Sequence, residues 1–466
     1  PKPAVVLRGM NDASPATKPL TRARFSALCF SRMPIAAIMS REVEWWSDAR
    51  ERVLGVVLFD LTDKDWAWIV LGRDERGLFR AIAVDASIAS RDEARLALQA
   101  ALPKHATSGE VFPQHDNSGK RHEILRVQVP ELKLHRNFKI IASGDHHAAA
   151  RRMIEEIALA FVDVDGNYAK DFQTTGFNAR LWELGLFAFL YEQQFTILHE
   201  HNRPDFFVTK WGFPLAIEAT TVNPTDGEAA PQPKSEEELK RLRSEFMPVK
   251  FGSALYSKLQ KKYWELDHVK DVPLIFAVHD FCADNSMVWS APALSDYLYG
   301  VRASWKKYDG KLEITETPVA EHVWGTKRIP SGFFNLPGAE HVSAVLFSNS
   351  TTVPKFNRIG VLAGFGLPNV RMFRTGIRHD FDPNAAEGIE CHEEVAPEKY
   401  DEDWSQGMQL FHNPKADIPI PPEFFAGCAH HFFDGKRRTG SLPKGFIHQS
   451  ITQVMRVVAD TEEATH

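Results

Sequence analysis

Residues 203–222 read RPDFFVTKWGFPLAIEATTV, and two extended segments joined by a turn account for this pattern. The first segment, 204–208, opens on Pro204, at the strand-initial position that proline tolerates. The second spans 214–222, with a turn expected at Trp211-Gly212 between them. Side chains alternate across a strand, so Glu218 and Thr220 share one face while Leu215, Ile217 and Ala219 share the other. If the two segments pair as a hairpin, Asp205 and Glu218 converge on one edge.

Upstream, Asn178 is placed to cap a helix running to about 193, in which Leu181, Trp182, Leu184, Leu186, Phe187, Phe189 and Leu190 cover nearly every direction. A helix without a polar face is a buried one. Glu183 sits one turn into it, and an uncompensated buried carboxylate costs roughly several kcal/mol, so a partner is expected. Downstream come a polar, Pro-rich insertion at 223–233, a charged helix, a second helix over 250–266 and a continuous apolar strand over 273–279. An apolar run of that kind fits a strand covered on both faces.

The succession of helix with Glu, Pro-Asp, strand with Glu-x-Thr, helix and apolar strand resembles the PD-(D/E)xK, or restriction-endonuclease-like, nuclease superfamily. The likeness covers about 140–300 and extends toward 370. It implies a mixed sheet flanked by helices, with Asp205 and Glu218 as ligands of Mg2+ or Mn2+ and Glu183 supporting the metal or its waters. That chemistry suits phosphodiester hydrolysis, in which a hard cation held by oxygen ligands lowers the pKa of a water and stabilises the attacking and leaving oxygens. The family's lysine belongs at position 220, where this chain has Thr220. Some members carry it on the following helix, which makes Lys258 the candidate, beside the stripe Phe251, Leu255, Leu259 and Tyr263. The resemblance further implies a nuclease with DNA favoured over RNA, in defence or repair, acting as a homodimer. Without an active lysine, the same fold would serve as a non-catalytic module binding nucleic acid or a protein.

The fold class expected is α/β, or α+β overall, arranged as a flexible arm (1–24), an N-terminal α+β domain (25–135), the nuclease-like domain (136–370) and a C-terminal extension packed on it (371–466). In the N-terminal domain, runs at 53–59, 66–71 and 78–84 read as a meander, followed by a helix capped by Ser90 with Glu93 three residues on. A further strand is expected at 124–129, a helix at 148–161, and strands at 341–347 and 359–365. With 44% hydrophobic and 25% charged residues, the composition is that of a globular protein. There is no apolar run of the ~18 residues that mark a membrane span, and four separated cysteines fit a reducing compartment. These features predict a cytoplasmic protein without membrane association.

The net charge of -6 excludes general coating of nucleic acid but leaves room for local basic patches. Lys261 and Lys262 are candidates for phosphate contact, as are Lys355, Arg358, Arg371, Arg374 and Arg378, interleaved with Phe356 and Phe373. The acidic stretch 390–403 should lie away from any such groove. His199-Glu200-His201 lacks the spacing of a zinc peptidase helix, and Cys391, His392, Cys428, His430 and His431 lack finger-like spacing. These segments leave a metal-dependent hydrolase of another substrate as a further alternative. Gly360, Gly364 and Gly366 do not make a dinucleotide fingerprint and are expected in turns.

Overall fold

β-branched and aromatic runs separated by Asp- and Gly-containing turns build the first of two units in this computed structural model, which describes residues 17–115, 121–163, 166–225, 227, 229–284 and 286–457. The units are 1–122 and 123–466. In the first, β1 (Thr17–Leu20), α1 (Arg22–Leu28) and α2 (Pro34–Met39) precede β2 (Ser40–Asp48), β3 (Val53–Asp60), β4 (Trp66–Arg73), β5 (Phe79–Ile88) and α3 (Arg91–Ser108). All five strands pair antiparallel in chain order. Ala94, Leu98, Leu102 and Ala106 of α3 bury against Val53, Val57, Trp68 and Val70. Ser90 Oγ accepts the Glu93 N–H at 3.3 Å, the cap expected from the sequence.

Two expectations are corrected here. Residues 17–24 are not a flexible arm, because β1 pairs with β2 and Thr21 caps α1; the rest of that arm, 1–16, lies outside the described residues. The stretch 124–129 is not a strand, and the first unit ends before it. The Ile124 and Arg126 carbonyls accept instead from the side-chain amide of buried Gln173, which ties this stretch to the second unit.

The second unit begins with α4 (Arg136–Ser143), α5 (Ala148–Ala160), α6 (Tyr168–Gln173) and α7 (Phe177–Glu192), followed by β6 (Thr196–Leu198), β7 (Phe206–Lys210) and β8 (Phe213–Val222). Next come α8 (Glu236–Arg241), α9 (Met247–Leu259), β9 (Leu274–Asp280), α10 (Ser290–Tyr299), and the hairpins β10 (Val301–Tyr308) with β11 (Lys311–Pro318) and β12 (Glu321–Trp324) with β13 (Lys327–Pro330). The unit continues through β14 (Ala344–Ser348), α11 (Val353–Leu362), β15 (Val370–Arg378), β16 (Ile389–Glu394), β17 (Gln409–His412), β18 (Ala429–Phe433), β19 (Arg438–Ser441) and β20 (Ile447–Arg456).

Its core is an eight-stranded mixed sheet of order β19-β18-β17-β14-β9-β8-β7-β6. β6, β7 and β8 form an antiparallel meander, and β9 joins β8 in parallel. The β7–β8 turn is the expected Trp211-Gly212 pair, both with positive φ (53° and 82°), as a two-residue hairpin loop requires. α7 and α9 cover opposite faces. Trp182 of α7 donates to the Ala277 carbonyl and lies against the His279 ring, whereas Phe251, Leu255 and Leu259 of α9 pack with Ala216, Phe276 and Val278. Period-two alternation therefore turns Glu218 and Thr220 toward α9.

The segment 371–466 is not an extension packed on a finished domain: β17, β18 and β19 supply three of the eight strands, and β15, β16 and β20 form a separate sheet of order β16-β15-β20. The expected strand at 359–365 falls largely in α11. A short apolar run fits either state, and packing against α5 decides it. Gly360 lies within that helix, where a Cβ would stand 2.5 Å from the Ala149 carbonyl oxygen. Gly364 follows the helix end at φ +71°, the left-handed position that glycine fills. Among the described residues no helix is long and apolar enough to cross a membrane.

Candidate active site

Register brings the acids of the hairpin together. Phe206 of β7 pairs with Ile217 of β8, so Asp205 stands beside Glu218. The Asp205 N–H donates to Glu218 Oε2 at 3.3 Å, and the Ala219 N–H donates to Asp205 Oδ2 at 2.8 Å. Glu218 is buried, with 6% of its side chain exposed, and it receives Lys258 Nζ on Oε1 at 2.5 Å. Lys258 reaches it from the last turn of α9 and keeps 25% of its side chain in contact with solvent. Tyr263 lies near this carboxylate; burial first and the nearby Glu218 second raise the phenol far above its ordinary pKa.

Glu183 joins from α7. Both its oxygens accept from Arg180 Nη1, at 3.1 and 2.8 Å, and the other guanidinium nitrogen binds Asp171 at 2.9 Å. Arg180 is the partner that the apolar helix demanded. Burial raises the Glu183 pKa, and the charge of Glu218 adds to that, while Arg180 and Lys258 pull it down. Asp205 is affected most. Its residue lies at the exposed rim, but the carboxyl leans inward onto Ala219; desolvation, then the charges of Glu218 and Glu183, push it up to about 7. Glu183, Asp205, Glu218 and Lys258 thus form one electrostatically coupled group. They are not yet a closed ligand shell: among the described residues no three His, Cys, Asp or Glu side chains stand close enough to hold a metal ion.

The second basic set reads differently in three dimensions. Lys355 is fully buried, donates to the Trp404 and Gln406 carbonyls, and is pushed down to about 8 by burial. Arg358 is buried in a two-pronged ion pair with Glu402, at 2.6 and 2.8 Å, and Arg374 is buried against Tyr400, 3.4 Å from the same carboxylate. These three are therefore corrected from phosphate contacts to structural cations. Arg371 and Arg378, nearer the surface, pair with Glu394 and Glu393. The acidic stretch expected to stand apart is the partner of the basic one. Lys261 and Lys262 remain exposed just beyond α9, with Lys262 paired to Glu265.

The histidine and cysteine alternatives find no assembly. His201 stacks on His268, His412 hydrogen-bonds His430, and burial lowers His412 to about 4, which suits a neutral buried pair. Cys391 and His392 lie on β16, whereas His430 and His431 lie on β18. Two contributors escaped the sequence reading. Arg180 stood three residues before Glu183 on one helical face, a signal that spacing alone could have supplied. Tyr263 was read for its ring, and its buried phenol also lies close to Glu218. Comparison with known protein families, curated proteins and solved structures finds no match to this chain.

Proposed function

We propose that this chain is a divalent-metal-dependent nuclease of restriction-endonuclease-like fold, cutting phosphodiester bonds with DNA favoured over RNA. The observation that carries this reading is the Lys258–Glu218 contact beside Asp205, which supplies from α9 the cation that Thr220 does not. The succession of α7, an antiparallel β6-β7-β8 meander, α9 and a parallel β9 supports it as well, since it is the order of elements that the family resemblance implies.

The donor chemistry, carboxylate oxygens, is the kind a hard cation takes, although the three side chains would have to draw closer to share one ion. Burial and the charge of Glu218 raise the proton affinity of Asp205 and Glu183, and concentrated negative charge of that kind is relieved by Mg2+ or Mn2+ bound to carboxylate oxygens. Asp205 and Glu218 would hold the ion, with Glu183 supporting it; such an ion supplies Lewis acidity and a more acidic water. The chain's own residues do the rest. Lys258 brings its side-chain nitrogen to the rim, where it can polarise an attacking water and balance charge developing on a phosphate. Arg180 holds Glu183 through both its oxygens, and Lys258 with the Asp205 amide orients Glu218. With a pKa of about 7, Asp205 carries a proton part of the time at neutrality, so metal binding competes with a proton. The family resemblance adds a homodimer with one site per strand, and a role in defence or repair.

Plasmid DNA, single-stranded DNA and RNA incubated with Mg2+, Mn2+ or chelator test the reading. Metal-dependent cleavage lost in both Asp205→Ala and Glu218→Ala is the expected result. A second reading, a non-catalytic module of the same fold, is favoured by the fact that Lys258 and Arg180 already neutralise Glu218 and Glu183 internally. Nucleic-acid binding without cleavage in any metal would select it.

A further inference from the structure

The β10–β11 hairpin is nearly all surface. Residues 304–311 are exposed without exception, including Trp305 (54%) and Tyr308 (75%), large aromatic rings that a protein normally covers. The strands are joined by Asp309-Gly310, both in the left-handed region, which makes a tight two-residue turn. The base, by contrast, is fastened. Arg438 donates to Glu316 at 3.0 Å and to buried Asp296 of α10 at 2.9 Å, and Arg302 donates to the Ser244 carbonyl at 3.2 Å. Apart from the Leu312 N–H, which donates to Asn384 Oδ1 at 3.4 Å, a ribbon held at the root and exposed over 304–311 is built to meet something outside the chain.

Its charge says what. Lys306, Lys307 and Lys311 surround the tip and outnumber its acids, Asp309 in the turn and Glu313 opposite Lys306; none of the three lysines forms an ion pair among the described residues. The pairing Trp305↔Ile314, Lys307↔Leu312, Lys306↔Glu313 and Tyr308↔Lys311 puts Trp305 and Lys307 on one face, with Lys306, Tyr308 and Lys311 on the other. Cationic side chains therefore point both ways from the ribbon. The two aromatic rings lie on opposite faces and make no continuous stacking platform, as a single-strand binder would need. A duplex groove suits this arrangement: the major groove is about 12 Å wide, admits a two-stranded ribbon, and is walled on both sides by phosphates.

Resting on the nuclease reading above, we propose that the β10–β11 hairpin is a duplex-binding arm that enters a groove of double-stranded nucleic acid and grips both backbones through Lys306, Lys307 and Lys311. Each phosphate contact contributes about 0.9 to the slope of log K against log salt. The triple variant Lys306→Ala/Lys307→Ala/Lys311→Ala should lower that slope by about 2 to 3 and weaken duplex binding at least about 10-fold near 0.1 M salt.

The test is fluorescence anisotropy with a labelled 30-base-pair duplex and the matching single strand, in chelator so that no cleavage intervenes. Thermal midpoints check that the exposed substitutions leave the fold intact, and Trp305→Ala/Tyr308→Ala provides a second variant that keeps all charges. A reduced slope with duplex affinity lost more than single-strand affinity supports the arm. An unchanged slope and affinity in the triple variant overturns it while leaving Asp205-dependent cleavage untouched, and tighter wild-type binding to single strand than to duplex overturns it too. A wild-type chain that binds neither probe overturns the arm and the nucleic-acid reading together.

Discussion

Asp205→Asn should make the protein more stable and inactive, and the size of both effects follows from the site. A carboxyl held near pH 7 instead of 3.8 is about 4 kcal/mol less favourable as an anion in the folded chain, at about 1.4 kcal/mol for each tenfold change. The rim position admits water, and screening of an exposed charge reduces this to about 1–2 kcal/mol. The sign is set by linkage. Between pH 3.8 and about 7 the folded chain keeps a proton that the unfolded chain has lost, so stability falls as pH rises through that window and the whole penalty is present above it. Asparagine carries no charge, retains an oxygen to accept from Ala219, and leaves the Asp205 backbone contact to Glu218 in place.

The assay is thermal unfolding across pH in chelator, repeated with Mn2+. The variant should melt about 2–4 °C above wild type at pH 8.5, with the gap closing toward pH 4. Mn2+ should raise the wild-type midpoint at pH 8.5 and leave the variant's unchanged, since ligand-linked stabilisation needs a site that binds. A variant no more stable than wild type at pH 8.5, or one that Mn2+ stabilises equally, would refute both the electrostatic strain and the metal assignment. Stability gained as function is lost marks a site assembled against its own repulsion.

Lys258→Met should leave the buried Glu218 carboxylate without its ammonium, costing about 2 kcal/mol by chemical denaturation, and should cut plasmid cleavage at least about 100-fold with partial rescue by Lys258→Arg. Glu402→Gln should destabilise the chain by about 3–5 kcal/mol, because Arg358 and Arg374 would be left as buried cations, yet duplex affinity should not change. Arg358, Arg374 and Lys355 hold Glu402 down to about 2 against its burial, so its contribution is complete above pH 4.5 and drains away as pH falls toward 2, visible as a steep acid limb that the variant lacks. Gly360→Ala should cost about 1–3 kcal/mol by forcing a methyl group against the Ala149 carbonyl, measured as a lower denaturation midpoint at unchanged slope.

The strands nearest the candidate site were legible because their signals are local. Period-two alternation placed Glu218, the Trp211-Gly212 pair closed the hairpin, and an apolar run named β9. The all-apolar α7 announced its burial, although it begins at Phe177 and not with a cap at Asn178. What failed was non-local. The strands β17, β18 and β19 are four or five residues long, too short to show a period, and β17 joins the sheet beside β14, far earlier in the chain. The cations of 355–378 looked like a phosphate-binding surface because their carboxylates lie 15 to 44 residues further on, in the strand and loop that fold back over them. Charge runs in sequence report composition, and only tertiary pairing decides whether a charge faces solvent.

The same distinction bears on the threonine at position 220, where the proposed reading would want a lysine. Under the proposed nuclease reading, the centre requires a cation at Glu218, not a lysine at a given place in the strand. Thr220 and Glu218 share the face toward α9, and Leu255 and Leu259 fix the rotation of that helix by burying in the same core. Lys258 stands three residues after one of these anchors and immediately before the other, on the flank of the buried stripe, where its methylenes can lie along the core while the ammonium reaches the carboxylate. The helix that carries the lysine is held by apolar packing that does not depend on the charge. The cation is thereby positioned with less conformational entropy to lose than a free surface lysine would have. With the lysine on the helix, the two demands on β8 are separate: Thr220 meets the sheet's preference for a β-branched residue, and α9 brings a lysine nitrogen to Glu218.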